Sequence, residues 1–269
     1  MMFQQYYGFQ SLPFSKDIPP HDLYQAEGQS ELCARLNYLT RERGLGLVTG
    51  ETGSGKSTAV RRFTASLDTN RYLIIYLANP LMGMTGLYRD LLISLGHEPP
   101  FSRPKMVARI RSVFEDLLAN KHRIPFLILD EAQLLPDSAF EQFRLLFSTS
   151  MDSQSLGALL LVGQPELRRT LRLASHEAFF QRLSTSYHLP PLDLSQTIAY
   201  IRHHIQLSGY KAGILFPDDA LARIYDYTKG IPRQINRLCT TALLVGMADN
   251  KQIIEESLIR KAVADLEQG

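Results

Sequence analysis

The chain has 269 residues, of which 45% are hydrophobic and 21% are charged, and its formal charge is +2. This balance is typical of a globular protein with one large domain or two smaller ones, and it neither indicates nor excludes nucleic-acid binding. The longest apolar runs, such as residues 156–162, are far shorter than the ~20 residues of a membrane helix. Residues 1–14 lack the basic and apolar regions of a signal peptide. We therefore expect a cytoplasmic protein without a membrane span.

Short apolar segments alternate with helical patterns through the first part of the chain. Apolar runs without polar alternation predict strands that are covered on both faces, and they lie at residues 45–48, 72–77, 126–129 and 158–162. Helices are predicted between and after these strands, at residues 56–67, 86–95, 105–119 and 140–147. This alternation predicts a parallel sheet in a three-layer α/β domain.

The pattern changes near Leu189-Pro-Pro191. No convincing strand follows, and helices are predicted at residues 196–206, 218–227, 232–248 and 254–267. We therefore expect an α/β core over residues 1–190, including an N-terminal segment that contacts the nucleotide. Residues 191–269 are expected to form a small all-α lid domain.

A phosphate-binding loop is the most specific motif. Residues 50–57 match GxxxxGK[ST] at every fixed position, between an apolar strand and an amphipathic helix. Glycines let backbone N–H groups wrap around phosphates, and the helix adds its positive N-terminal end. Lys56 is predicted to reach the β- and γ-phosphates, and the Ser57 hydroxyl to ligate Mg²⁺. The predicted nucleotide-binding residues are Gly50, Glu51, Thr52, Gly53, Ser54, Gly55, Lys56, Ser57 and Thr58.

An acidic pair, Asp130 and Glu131, directly follows the apolar run at residues 126–129. A carboxylate at the end of a neighbouring strand can hold Mg²⁺, and a second one can orient and deprotonate the attacking water. We predict that Asp130 binds the metal and that Glu131 is the catalytic base. The alternative is that the Asp-Glu pair caps a helix at the protein surface. The pair favours ATP hydrolysis over a GTPase or a kinase.

Three further polar positions stand near element ends. Gln164 follows the run at 158–162, where it either lies between the acidic pair and the γ-phosphate or merely ends the strand. Arg182 precedes a Tyr-His-Leu-Pro-Pro segment. Pro232 suits the first turn of a helix, from which Arg233 would project.

The order of these motifs resembles the ExeA-type branch of the AAA+ ATPases. The phosphate loop is followed by Leu-Asp-Glu-Ala, Val-Gly-Gln-Pro-Glu-Leu, Gln-Arg and Gly-Ile-Pro-Arg-Gln-Ile-Asn. Tyr7-Gly-Phe9 and Pro13-Phe14, ahead of a helix containing Glu31, also fit, so the resemblance spans nearly the whole chain. It implies an AAA+ fold and an ATPase that uses ATP and Mg²⁺.

The resemblance also implies roles for single residues. Gln164 would be the first sensor, Arg182 the arginine finger and Arg233 the second sensor in contact with the nucleotide. Because an arginine finger acts on the ATP of the adjacent subunit, a homo-oligomeric ring or helical filament is implied; a surface arginine is the alternative for Arg182. Asn79 is either a switch that restrains the catalytic glutamate or part of a strand-end turn.

The sequence ends at Gly269, after the predicted lid, whereas secretion ATPases of this branch continue into a membrane segment and a cell-wall-binding domain. The shorter form resembles transposition helper ATPases of the IstB, TniB and MuB kinds. This resemblance implies ATP-dependent oligomers on double-stranded DNA, a DDE-type transposase as partner and a role in DNA recombination. Two alternatives are a secretion or envelope-assembly ATPase that works through protein partners, and a slow ATP-dependent scaffold.

Basic clusters are candidate DNA contacts, because phosphate contacts need Lys and Arg. Their members are Arg103, Lys105, Arg109, Arg111, Lys121, Arg168, Arg169 and Arg172. A solvated helix face carries the same residues, and acidic side chains are interleaved with them. No helix-turn-helix or zinc-finger signature is present, so base-specific reading is not predicted.

Overall fold

The computed structural model describes residues 2–78, 80–149 and 154–268, and the chain divides into two compact units. The α/β unit comprises Gly28–Thr52 and Lys56–Leu189. The helical unit comprises the described residues up to Glu27, Gly53–Gly55 and those from Pro190 onward.

The strands, in chain order, are β1 (Leu45–Thr49), β2 (Tyr72–Leu77), β3 (Ile124–Leu129), β4 (Ser148–Thr149), β5 (Gln154–Ser155), β6 (Ala158–Gly163) and β7 (Leu183–His188). The α-helices are α1 (Met2–Tyr7), α2 (Glu27–Glu42), α3 (Lys56–Ala65), α4 (Gly83–Ser94), α5 (Arg103–Ala119), α6 (Ser138–Phe147), α7 (Pro165–Leu171), α8 (Glu177–Phe180), α9 (Leu194–Leu207), α10 (Asp218–Thr228), α11 (Pro232–Ala248) and α12 (Glu256–Gln268). None of the helices in the described ranges combines the length and the hydropathy that membrane crossing requires.

The α/β unit is built on a five-stranded sheet in the order β2-β3-β6-β1-β7, and its strand pairs are parallel. Alternate residues of each strand point to opposite faces. Leu127 and Leu129 of β3 join the apolar cluster that includes α4, α5 and α6. Phe126 and Ile128 join the cluster of α2 and α3 on the other face. Both faces are thus covered, which confirms the predicted three-layer α/β fold.

The edge strand β7 was not predicted. Its sequence, Leu-Ser-Thr-Ser-Tyr-His, lacks the continuous apolar run that marks β1, β3 and β6. It pairs with β1, with Val48 opposite Tyr187 and Thr49 opposite His188. An edge strand has a partner on one side and is less buried, so polar residues are tolerated there. The short antiparallel pair of β4 and β5 was also missed.

The helical unit contains α9 to α12, as the sequence predicted, and no strand is found among its described residues. Asp193 caps α9 with a capping box, in which its side chain accepts from the backbone N–H of Gln196 at 2.8 Å. Pro232 is the first residue of α11, where its missing N–H costs no intrahelical hydrogen bond.

The N-terminal segment belongs to the helical unit, whereas we expected it with the α/β core. The Tyr7 hydroxyl donates to the carbonyl oxygens of Leu243 at 3.2 Å and Lys251 at 3.1 Å. Phe14 stacks on His204 with ring centroids 5.3 Å apart. These aromatic side chains are buried in the apolar core of the helical unit. This burial is why the N-terminal segment belongs to the helical unit.

Candidate functional site

The phosphate loop connects β1 to α3. Gly53 and Gly55 have φ values of 83° and 93°, a left-handed region that glycine adopts readily and other residues do not. The buried ammonium of Lys56 donates to the carbonyl oxygens of Gly50 at 2.8 Å and Glu51 at 2.9 Å. A cationic side chain therefore lies folded along the inside of the loop.

Ser54 provides an independent test of whether the loop fits an anion. Its hydroxyl is buried and has no hydrogen-bond partner within the described part of the chain. A buried polar group without a partner costs free energy, and a phosphate oxygen would satisfy it. The loop residues thus fit the phosphates of a nucleotide.

The predicted metal-site residues lie together. Asp130 follows β3 and is buried, and Ser57 stands in the first turn of α3. The Ser57 hydroxyl donates to Asp130 Oδ2 at 2.7 Å. Hydroxyl and carboxylate oxygens suit Mg²⁺, which also keeps water and phosphate ligands. No group of three or more His, Cys, Asp or Glu residues suited to a metal occurs in the ranges that the structure describes.

Tyr76 of β2 also contacts Asp130, and sequence reasoning missed it. Its hydroxyl donates to Asp130 Oδ2 at 2.6 Å. Partial burial of this half-exposed side chain raises the pKa of the Tyr76 phenol, and the hydrogen bond to Asp130 raises it further, so the phenol is a neutral donor. The contact depends on the alignment of β2 with β3, where Tyr76 lies opposite Ile128. No local sequence signal reports that alignment.

Glu131 and Gln164 are linked through a residue that the sequence analysis did not single out. Glu131 has a left-handed backbone, with φ 52°, and begins the turn Ala132–Leu134. Gln133 Nε2 donates to Glu131 Oε2 at 2.6 Å, and Gln133 Oε1 accepts from the backbone N–H of Gln164 at 3.0 Å. Gln133 therefore links the Glu131 carboxylate to the backbone of Gln164 at the carboxyl end of the sheet.

The remaining predicted site residues are Arg182, Arg233 and Asn79. Arg182 is half-buried, and its Nη1 donates to Ser148 Oγ at 2.8 Å. The Arg233 side chain is exposed in the first turn of α11, and its backbone N–H donates to the carbonyl oxygen of Gly53 at 3.2 Å. Asn79 lies outside the described residues. The roles of the arginine finger, the second sensor and the switch stay predictions.

Several of the candidate DNA-binding residues form hydrogen bonds, ion pairs or ring contacts within the chain. Arg111 donates to the carbonyl oxygen of Ser148. Lys121 pairs with Asp116 at 3.6 Å. Other contacts join Arg103 to Gln142 and to the Tyr88 ring, and Arg109 to His97. The exposed members of the same set are Arg103, Lys105, Arg109, Lys121, Arg169 and Arg172, and the partly buried ones are Arg111 and Arg168.

Comparisons with known proteins show which family and which folds this chain resembles. Residues 39–171 match a family model described as AAA domain. The chain is 35% identical over 253 residues to General secretion pathway protein A of Aeromonas hydrophila, a match that covers 92% of this chain and 45% of that protein. The chain thus spans somewhat less than half of the relative's length.

Solved structures share the fold at low identity. The ORC2 protein of Aeropyrum pernix is 17% identical with a TM-score of 0.68, and the match covers 94% of this chain and 70% of that one. Cdc6p of Pyrobaculum aerophilum is 17% identical with a TM-score of 0.70 and the same coverage. The RuvB Holliday junction branch migration motor of Thermotoga maritima is 18% identical with a TM-score of 0.57, covering 90% of this chain and 70% of that one.

The fold and the loop geometry are thus those of a P-loop protein with an AAA-type fold, and residues 39–171 are similar to the AAA domain. The secretion-pathway relative supports the more particular resemblance to the ExeA type. The AAA-domain match indicates an ATPase-type nucleotide hydrolase.

Proposed function

We propose that this chain is a Mg²⁺-dependent ATPase that works as a homo-oligomer in the cytoplasm, where ATP is available. The observation that carries the proposal is the 2.7 Å contact between Ser57 Oγ and Asp130 Oδ2. It brings the loop hydroxyl to the carboxylate that precedes Glu131, so the metal-site residues and the candidate base share one sheet edge.

In the proposed reaction, Lys56 exchanges its contacts with the Gly50 and Glu51 carbonyls for the β- and γ-phosphate oxygens. Ser57 and Asp130 would hold Mg²⁺, which would neutralise charge on the phosphates. Glu131 orients the attacking water and accepts its proton. The water oxygen bonds to the γ-phosphorus, the bond to the β-phosphate oxygen breaks, and ADP and phosphate leave. The Gln164 side chain is assigned to the γ-phosphate as first sensor.

Assembly is proposed through Arg182, acting on the ATP of an adjacent subunit. Arg182→Ala is expected to keep ATP binding and lose hydrolysis, because the charge facing the transferred phosphoryl group is removed. Mixing Arg182→Ala with Lys56→Ala subunits should restore activity, since at equal amounts about a quarter of the interfaces combine an intact loop with an intact finger. The measurement is phosphate release over a series of mixing ratios.

The control is a mixture of Lys56→Ala and Glu131→Gln subunits. Both defects then lie in the loop-bearing half of the site, so no interface regains activity. If the Arg182→Ala mixture stays inactive although mixed assemblies are shown to form, the shared site is wrong.

For the partner, we propose a protein of a secretion or envelope-assembly process. The support is the 35% identity, over 253 residues, to a protein whose name places it in the general secretion pathway. A DNA-bound transposition helper with a DDE-type transposase is the second candidate. Its support is a group of exposed basic residues that includes Lys105, Arg169 and Arg172 and that in an oligomer would be repeated in every subunit. A slow ATP-dependent scaffold is the third candidate, and a low rate of ATP turnover would distinguish it.

DNA co-sedimentation separates the first two candidates. With a protein partner, we expect no ATP-dependent sedimentation with double-stranded DNA at low salt, under conditions in which oligomers form. A DNA helper would instead bind with ATP, and each phosphate contact would contribute about one unit to the log–log salt slope. Arg169→Ala with Arg172→Ala would then weaken binding. The matched control is Arg260→Ala, an exposed arginine of α12 paired with Glu256.

A further inference from the structure

The side-chain amide of Gln133 bridges the ends of two strands. Gln133 Oε1 accepts from the Gln164 backbone N–H after β6, and Nε2 donates to the Glu131 carboxylate after β3, at 3.0 Å and 2.6 Å. The orientation of the amide follows from chemistry. A backbone N–H only donates and therefore requires the amide oxygen, which leaves the NH₂ group for a carboxylate that only accepts.

The surroundings of Gln133 are closely packed. A Cβ atom on Gly163 would lie 2.7 Å from Gln133 Oε1 and 2.8 Å from Leu167 Cδ2, so a larger residue at this position would displace the amide. On the other side, the backbone N–H of Leu134 donates to the Glu131 carbonyl oxygen at 2.9 Å and fixes the turn. The amide therefore has a defined position relative to both strand ends.

We propose that Gln133 is a positioning residue, which holds the Glu131 carboxylate in its hydrolytic orientation and couples that orientation to the end of β6 at Gln164. This inference rests on the proposed ATPase function, with Glu131 as the base. One carboxylate oxygen, Oε2, is fixed by the Gln133 amide, and the other can take the proton from water. A shift of the Gln164 backbone moves Gln133 Oε1 and thereby the carboxylate.

Two substitutions separate the parts of this bridge. Gln133→Leu removes both hydrogen bonds at similar volume. Gln133→Glu keeps an acceptor for the Gln164 N–H, but it places an oxygen where Nε2 donated to Glu131. Both variants should lower kcat about tenfold or more, since misplacing a catalytic group by about 1 Å can cost 10²-fold. The dissociation constant for ATP should change less than about twofold, because Gln133 is not assigned to the phosphates.

Asn120→Asp is the matched control. Asn120 Nδ2 donates to Asp116 Oδ1 at 2.8 Å after α5, so this change also converts an amide that faces a carboxylate into an acid, away from the site. It should leave kcat unchanged. Thermal unfolding of all variants reports whether each one folds. If Gln133→Leu does not fold, Gln133→Glu still tests the inference.

The outcomes separate this inference from the proposed function. A kcat equal to or above that of the wild type in folded Gln133 variants, with Glu131→Gln inactive, overturns the inference and leaves the ATPase function intact. A loss of ATP affinity as large as the loss of kcat also overturns it, since that result indicates a general structural role. Absence of turnover in the wild type would overturn both proposals.

Discussion

Glu131→Gln is expected to reduce ATP turnover by about 10²–10⁴-fold, the range for removing a general base, while ATP remains bound. The amide has nearly the same shape as the carboxylate, but it does not accept a proton from water. The residues assigned to the phosphates and metal, Lys56, Ser57 and Asp130, are unchanged by the substitution. A selective loss of the chemical step is therefore the expected result.

The measurement is single-turnover phosphate release together with the dissociation constant for ATP in the presence of Mg²⁺. Glu115→Gln provides the control, because Glu115 is an exposed residue of α5 and the same chemical change there should leave turnover intact. Near-normal turnover in Glu131→Gln would show that the base has been assigned to the wrong residue. A large loss of ATP affinity would instead give Glu131 a role in binding.

Lys56→Ala is expected to weaken ATP binding by about 10–100-fold, because hydrogen bonds to charged groups contribute about 1.5–3 kcal/mol. The buried ammonium now contacts the carbonyl oxygens of Gly50 and Glu51. The substitution removes the charge that would neutralise the phosphates and leaves both carbonyls without this donor. The rate of ATP hydrolysis at limiting ATP should fall by at least the same factor as the affinity for ATP.

Isothermal titration calorimetry with a slowly hydrolysed ATP analogue measures this effect directly. Lys211→Ala, at an exposed position of the helical unit, removes the same charge from the chain and should bind the analogue as the wild type does. If Lys56→Ala retains wild-type affinity, the phosphates do not contact this side chain and the loop has been misassigned. Circular dichroism of both variants checks that the fold is retained.

The sequence by itself determined the α/β class, the position of the phosphate loop and the acidic strand end. These features depend on short-range properties of the chain. Apolar runs such as residues 126–129 indicate buried strands wherever they lie, and the spacing of residues 50–57 encodes the geometry of one loop. The proximity of Ser57 to Asp130 was also predictable, because carboxyl ends of parallel strands meet at one edge of a sheet.

Only the tertiary structure decided the position of β7, the packing of the N-terminal segment and the contacts of Tyr76 and Gln133. The polar β7 is a strand because β1 offers it a free edge, and Tyr7 and Phe14 lie in the helical unit because its core buries them. The Tyr76 contact requires the alignment of β2 with β3, and the Gln133 bridge requires β6 beside β3. Each depends on pairing between segments far apart in the chain, which local residue patterns do not encode.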